Sequence, residues 1–163
     1  MRKLLLIRHA KSSWKFPELD DHERPLNKRG QRDILTMARH LADKFEPIDV
    51  IYSSTATRAL DYAQMISDFT NVNLIPDLSF YTFSQDDLLE ILRNLPDDAH
   101  TVAVVAHNPA IGQIVNALTG EVFVKFPTSA IAAVNCPTES WNDLDALQNE
   151  CELEYFDYPK MFQ

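Results

Sequence analysis

Two arginines and two histidines, Arg8, His9, Arg58 and His107, are the residues of this 163-residue chain whose types and spacing suit chemistry on an anion. Arg8 and His9 follow the apolar run at residues 4–7 with no turn between. His107 follows TVAVVA at 101–106, and Arg58 stands shortly after the apolar run at 48–52. Taken singly, a histidine at the end of an apolar run is an ordinary loop residue and an arginine is ordinary surface charge. Four such donors gathered at one place would repel one another unless an anion joined them, and the anion that suits them is phosphate. Glycine occurs only at 30, 112 and 120, so the chain has neither GxGxxG nor a Walker loop, and side chains must hold the phosphate. Two histidines fall short of the three or four ligands of a zinc site and the arginines would oppose a cation, so no metal is expected.

Gathering these residues requires a particular arrangement of elements. Short continuous apolar runs predict strands at 3–8, 48–52 and 101–106, with a shorter strand at 74–75. Two further strands are expected at 129–136 and 151–155, the last antiparallel at an edge. Asn27 caps a predicted helix over 28–44, in which Ile34, Met37, Ala38, Leu41 and Phe45 recur at helical spacing. A second helix runs to about residue 67 from a cap among Ser53, Ser54 and Thr55, a third from Asp86 or Asp87 to about 94. A fourth follows Asn108-Pro109 and stops at Gly120. Residues 9–26, with Pro17 and Pro25, read as a loop. Strands alternating with helices imply an α/β three-layer sandwich, a mostly parallel central sheet with helices on both faces. Ligands in such sheets bind beyond the carboxyl ends of the strands, where Arg8, His9, Arg58 and His107 are all placed.

Composition excludes several classes. Apolar content of 45% with 24% charged residues predicts one ordinary globular domain over 1–163. The apolar run at 4–7 is far too short for a membrane span or a secretory leader, so a soluble cytoplasmic protein is expected. Cys136 and Cys151 lack metal-ligand spacing and read as reduced structural thiols. The net charge is −9, with 12 of the 15 basic residues in the first 58 positions. Most of the surface would repel nucleic acid and anionic membranes, so neither is an expected partner, and any anion site must be small and local. The acidic run at 139–157 reads as a solvated face, with steering of a protein partner as the alternative. His22, His40 and His100 are assigned no chemistry. Lys11 leans to the surface, and Arg24 is divided between surface charge and a reach into the phosphate site.

IRHA at 7–10, RPLNKRG at 24–30, SSTATRALDYA at 53–63, AHNP at 106–109 and PTSAIAAV at 127–134 resemble, in this order, the histidine phosphatase superfamily. The short chain and the TSAIA segment resemble its small SixA-type phosphohistidine phosphatases in particular. The resemblance implies a phosphoglycerate mutase-like fold, a single histidine phosphatase domain, and His9 as nucleophile with Arg8, Arg58 and His107 forming the phosphate pocket. Arg24 is a further candidate for phosphate.

The residue chemistry is consistent with that assignment. Neutral imidazole on His9 attacks phosphorus and splits hydrolysis into two transfers, with no metal or cofactor required. The arginines stabilise the charge of the transition state. In the wider superfamily an acid protonates the leaving group, and its closest match here is Asp77 in IPDLSFY, where Glu is more usual. A departing histidine, with a pKa of about 6.5, needs less help than an alcohol. Only the loops at 10–27 and 76–86 are long enough to approach the pocket, so no cap domain covers it. An open pocket suits a phosphohistidine displayed on a protein, a phosphotransfer domain or carrier. The alternatives are a small-molecule phosphomonoesterase of the same superfamily and a non-enzymatic phosphate-binding module.

Overall fold

The structure is a computed structural model that describes residues 1–123 and 125–163. Six strands form one sheet in the order β3-β2-β4-β1-β5-β6: β1 is Arg2–Arg8, β2 Val50–Ser53, β3 Leu74–Pro76, β4 Thr101–Ala106, β5 Ile131–Cys136 and β6 Glu152–Asp157. The four strands β1 to β4 are parallel, whereas β5 runs antiparallel to β1 and β6 antiparallel to β5. Antiparallel pairing therefore begins one strand earlier than the sequence suggested.

Because successive side chains of a strand point to opposite faces, the apolar runs divide between two cores. Leu4, Leu6, Val102, Val104, Ala132 and Val134 face α3 (Gln85–Arg93), α4 (Ala110–Thr119) and Trp141. Leu5, Ile7, Ala103, Val105, Ile131 and Ala133 face α1 (Lys28–Asp43) and α2 (Thr57–Thr70). This is the three-layer sandwich expected, and it explains the continuous apolar runs Leu4–Ile7 in β1 and Val102–Ala106 in β4: both of their faces are covered.

The helix ends follow local chemistry. Asn27 caps α1 by accepting from the Gly30 amide at 2.8 Å, and Ser84 caps α3 by accepting from Asp87. Asn108 accepts from the Gly112 amide at 3.1 Å in the first turn of α4, and Gly120 ends that helix at φ 77°, a conformation glycine adopts without strain. The second helix departs from expectation. Its N-cap is Ala56, with no side-chain cap, because Ser53 and Ser54 are used inside the loop: Ser53 Oγ donates to the Ser54 carbonyl, and Ser54 Oγ accepts from the Ala56 amide. No helix among the described residues is long and apolar enough to cross a membrane.

Candidate active site

Strand register fixes which residues share the rim. Arg8 pairs with Ala106 and Ser53 with Val105, so His9, Ser54 and His107 leave three adjacent strands at the same level. Backbone hydrogen bonds lock them there: His9 donates to Ala106 O at 3.0 Å, Ser54 to Val105 O at 2.9 Å, and Ser129, just before β5, to His9 O at 3.0 Å. The rings of His9 and His107 are consequently 5.1 Å apart, centre to centre.

The state of His9 follows from its partner. Its Nδ1 lies 2.7 Å from the Ala10 carbonyl oxygen, which can only accept, so the proton is on Nδ1 and the lone pair on Nε2. Burial, together with Arg58, Arg8 and Arg24, pushes the pKa of His9 down to about 4 against the opposing Ala10 bond. His107 is fully buried, and desolvation, His9 and Arg58 push it down to about 3. Both imidazoles are therefore neutral near pH 7. His107 Nε2 is engaged by Ser54 Oγ at 2.8 Å, which leaves Nδ1 as the nitrogen able to meet a ligand.

The arginines are held by their outer nitrogens. Arg8 Nη1 donates to Phe126 O at 2.8 Å. Arg58, 2% exposed, donates from Nη1 to the Asp21 carbonyl at 2.7 Å and from Nη2 to the Asp21 carboxylate at 2.9 Å. In both guanidinium groups the buried Nε has no partner within the chain, and the same is true of His107 Nδ1 and Ser129 Oγ. An unpaired buried donor costs about 1–3 kcal/mol. These four unpaired polar atoms belong to residues that neighbour His9 and suit an anionic ligand; Arg2 Nε and Asp33 Oδ2, away from it, also lack a hydrogen-bond partner.

Arg24 belongs to the surroundings of this cup. It is buried, hydrogen-bonded to Ser12 and to the Asp21 carboxylate at 3.0 Å, with its guanidinium 3.7 Å from the centre of the exposed Trp14 ring. Asp77 stands apart from it. Its carboxylate accepts from the Ser79 amide and hydroxyl at 2.9 and 2.8 Å, capping the 3-10 turn Leu78–Phe80, and it lines a neighbouring cleft of about 750 Å³. That cleft also contains Tyr52, Tyr81, Asp87 and Glu90.

Asp21, Tyr81, Ser54 and Ser129 escaped the sequence reading. Asp21 sits in the 3-10 turn Asp21–Glu23, in a loop whose acids look like surface charge. Tyr81 packs 5.3 Å from His107, ring to ring. Ser129 adopts φ 68°, an unusual conformation for a residue with a side chain, and Tyr62 fixes it by donating to its carbonyl at 2.7 Å. His22 is also close by, bonded to Thr55 Oγ1 at 2.7 Å. Among the described residues no group of three or more His, Cys, Asp or Glu could hold a metal ion.

The chain is similar to known proteins in sequence and in fold. Residues 4–80 match the model of the histidine phosphatase superfamily, branch 1. An uncharacterised chloroplastic protein of Arabidopsis thaliana is 32% identical over 159 residues, covering 90% of this chain and 72% of its own. An uncharacterised protein of Mycobacterium leprae is 30% identical over 166 residues, covering 94% and 100%. Among solved structures, a protein of Agrobacterium tumefaciens carrying the name phosphohistidine phosphatase SixA superposes with TM-score 0.81 at 26% identity, covering 97% of this chain and 98% of that one. The protein histidine phosphatase SixA solved with tungstate shares the fold at TM-score 0.81 and 23% identity, covering 99% of each chain.

Proposed function

The chain belongs to the histidine phosphatase superfamily, and from that membership we propose that it is a metal-independent phosphohistidine phosphatase acting on a phosphorylated protein. The observation that carries this reading is the state of His9: a neutral imidazole, its Nδ1–H held by Ala10 and its Nε2 lone pair available, beside unpaired donors on Arg8, Arg58, His107 and Ser129.

In the proposed reaction the Nε2 lone pair of His9 forms a bond to phosphorus as the P–N bond to the substrate histidine breaks. The substrate ring carries a proton on the nitrogen not bonded to phosphorus, so the bonding electrons leave on the other nitrogen and the departing group is neutral imidazole. Arg8, Arg58 and His107 hold the phosphoryl oxygens through the transfer, and Arg24 adds to the positive potential. Water then attacks the phosphohistidine on His9 and releases orthophosphate and free imidazole. The departing group has a pKa of about 6.5, so no proton is needed from Asp77, whose Oδ1 caps the turn through Ser79.

The protein substrate is supported by the solved relatives named as phosphohistidine phosphatases and by the lack of any element among the described residues, apart from the loops at 10–27 and 76–86, long enough to cover the pocket. We assign the substrate to a phosphotransfer domain or carrier in the cytoplasm, an assignment to which the two free thiols, Cys136 and Cys151, lend support.

The test is a panel at equal enzyme concentration, in the presence of a chelator, comparing phosphohistidine proteins with sugar phosphates, coupled to trapping of labelled phosphate on the enzyme. Faster turnover of phosphohistidine and label on His9, both lost in His9→Ala, are expected. Equal or faster turnover of a sugar phosphate would assign the site to a small-molecule phosphomonoesterase. Phosphate binding without labelling would leave a binding module.

A further inference from the structure

Asp21 is the group around the cup whose contacts are most out of proportion to its appearance in the sequence. Its side chain is 44% exposed, yet it joins three segments that are distant along the chain. Oδ1 takes Nε and Nη2 of Arg24 at 3.2 and 3.0 Å. Oδ2 takes Nη2 of Arg58 at 2.9 Å and the Tyr81 hydroxyl at 2.6 Å. The Asp21 carbonyl takes Nη1 of Arg58 at 2.7 Å. Burial alone would raise the Asp21 carboxyl, but the bonds from Tyr81, Arg58 and Arg24 outweigh it and hold the group well below the usual carboxylate range, so it is an anion at every working pH.

The pattern of occupied and unoccupied nitrogens gives these contacts a direction. Asp21 takes one N–H from each terminal nitrogen of Arg58 and leaves Nε buried and unpaired, with a second N–H on each terminal nitrogen. A guanidinium is planar and rigid, so fixing two of its corners fixes where its remaining N–H groups point, that of Nε among them. Tyr81, held by the same carboxylate oxygen, packs its ring against His107. One carboxylate thus orients an arginine and an aromatic wall on the two sides of the pocket. We propose that Asp21 is a positioning residue of the phosphate cup, acting through Arg58 to aim its Nε–H at the phosphoryl group in the transition state. The proposal rests on the cup being the phosphate site, and does not depend on which phosphorylated compound is the substrate.

A carboxylate beside a phosphate site also repels the phosphate, and that sets the form of the test. Losing the charge of Asp21 favours anion binding, while losing its aim on Arg58 disfavours it. The two effects oppose each other for orthophosphate. Orthovanadate, which resembles the transition state more closely, depends more heavily on the aim. Asp21→Ala should therefore lower the ratio of vanadate affinity to orthophosphate affinity by tenfold or more, and lower kcat by about 10–100-fold on whatever phosphorylated substrate the wild type turns over. Asp21→Asn keeps an acceptor oxygen and should lose less on both readouts. In an Arg58→Ala background the same Asp21→Ala change should alter the vanadate-to-orthophosphate ratio less than twofold, because the group through which Asp21 acts is gone.

Equal effects in the two backgrounds would overturn the proposal, as would an Asp21→Ala protein that binds orthophosphate tenfold tighter with kcat unchanged, the behaviour of a simple competitor. If Asp21→Ala does not fold, Asp21→Asn is read through the same cycle. Failure of the wild type to hydrolyse phosphohistidine would overturn the proposed substrate and leave the two affinities as a complete test of Asp21.

Discussion

The imidazole at position 9 is useful only while it is unprotonated, and its surroundings extend the range over which that holds. With the folded-state pKa at about 4, a proton that the unfolded chain binds near pH 6.5 is refused by the folded site. Two consequences follow, with signs fixed by the same difference. His9 should stay neutral as pH falls from 8 to 5, and so should His107, whose pKa is about 3, so the ring-proton resonances of both should hold their positions over that range in an NMR titration. Fold stability should be fully present above pH 6.5 and decline as pH falls from there toward 4, measurable as a falling urea midpoint. Movement of the His9 resonance with a midpoint near 6.5 would mean that burial and the arginines do not control it. Asp77 supplies a second prediction at this scale. Because its Oδ1 is held by Ser79 and a departing imidazole needs no proton from it, Asp77→Asn should change turnover of a phosphohistidine protein by less than threefold, whereas His9→Ala abolishes it. Arg8, His9, Arg58 and His107 were legible in the sequence because each lies at or just after the end of an unmistakable apolar run. Asp21 was not, since an acid in LDDHER reads as any solvated acid until the fold brings Arg58 and Tyr81 to it.

At the scale of elements, the cup depends on how closely the loop after β1 can lie against α1. The Lys11 carbonyl accepts from the Asn27 amide at 3.0 Å, and Ser13 donates to the Pro25 carbonyl at 2.8 Å, so the segment carrying His9 is stitched to the segment carrying Asp21 and Arg24. Gly30, in the first turn of α1, is what permits this. A Cβ there would collide with the Lys11 carbonyl oxygen, which is backbone and cannot rotate away. Gly30→Ala should therefore destabilise by about 1–3 kcal/mol and lower kcat/KM together with it, as the loop shifts. Gly112 in α4 is the control. Its Cβ would meet Asn108 Oδ1 and Phe126 Cβ at 3.5 Å, ordinary contact, and Gly112→Ala should leave the melting temperature unchanged or raise it. Paired thermal melts and kinetics distinguish the two. The helices and parallel strands were readable from periodicity, because burial on two faces leaves continuous apolar runs. The orientation of β5 was not, because its residues Ile131–Val134 are buried and apolar in either direction, and only pairing with Arg2–Ile7 decides it.

Across the whole molecule the question is how a chain of net charge −9 would meet the proposed protein substrate at a cup lined by arginines. The acidic run at 139–157 was a candidate for steering, and the topology argues against its first part, residues 139–145; the run returns along β6 to the rim end only at Asp157, which is engaged by His40 at 2.7 Å and Lys44 at 3.5 Å. Since β5 is antiparallel to β1, Cys136 lies beside Arg2, at the end of the sheet opposite His9. Glu139 accordingly pairs with the Met1 amino group at 2.7 Å, and Arg93 Nε lies 3.5 Å from Asp145. A strand of seven residues spans about 20 Å, more than two Debye lengths at 0.15 M salt, so charges at that end are screened from a partner docking at the rim. Asp87 and Glu90 are differently placed. They line the cleft that also contains Tyr81, the residue packed on His107; Glu90 is paired with Arg93 on its own helix at 3.1 Å, and Asp87 has no ion pair among the described residues. If surface acids steer the phosphorylated partner, these are the ones in range. Glu139→Gln with Asp143→Asn and Asp145→Asn should change the association rate of a phosphohistidine protein by less than twofold at 0.15 M salt. Asp87→Asn with Glu90→Gln should change it several-fold, by more at 0.02 M than at 0.3 M, with kcat unaffected. Stopped-flow association of the His9→Ala protein with a phosphorylated partner measures the step without turnover, and a larger effect from the first set than from the second would reverse the assignment of the docking side.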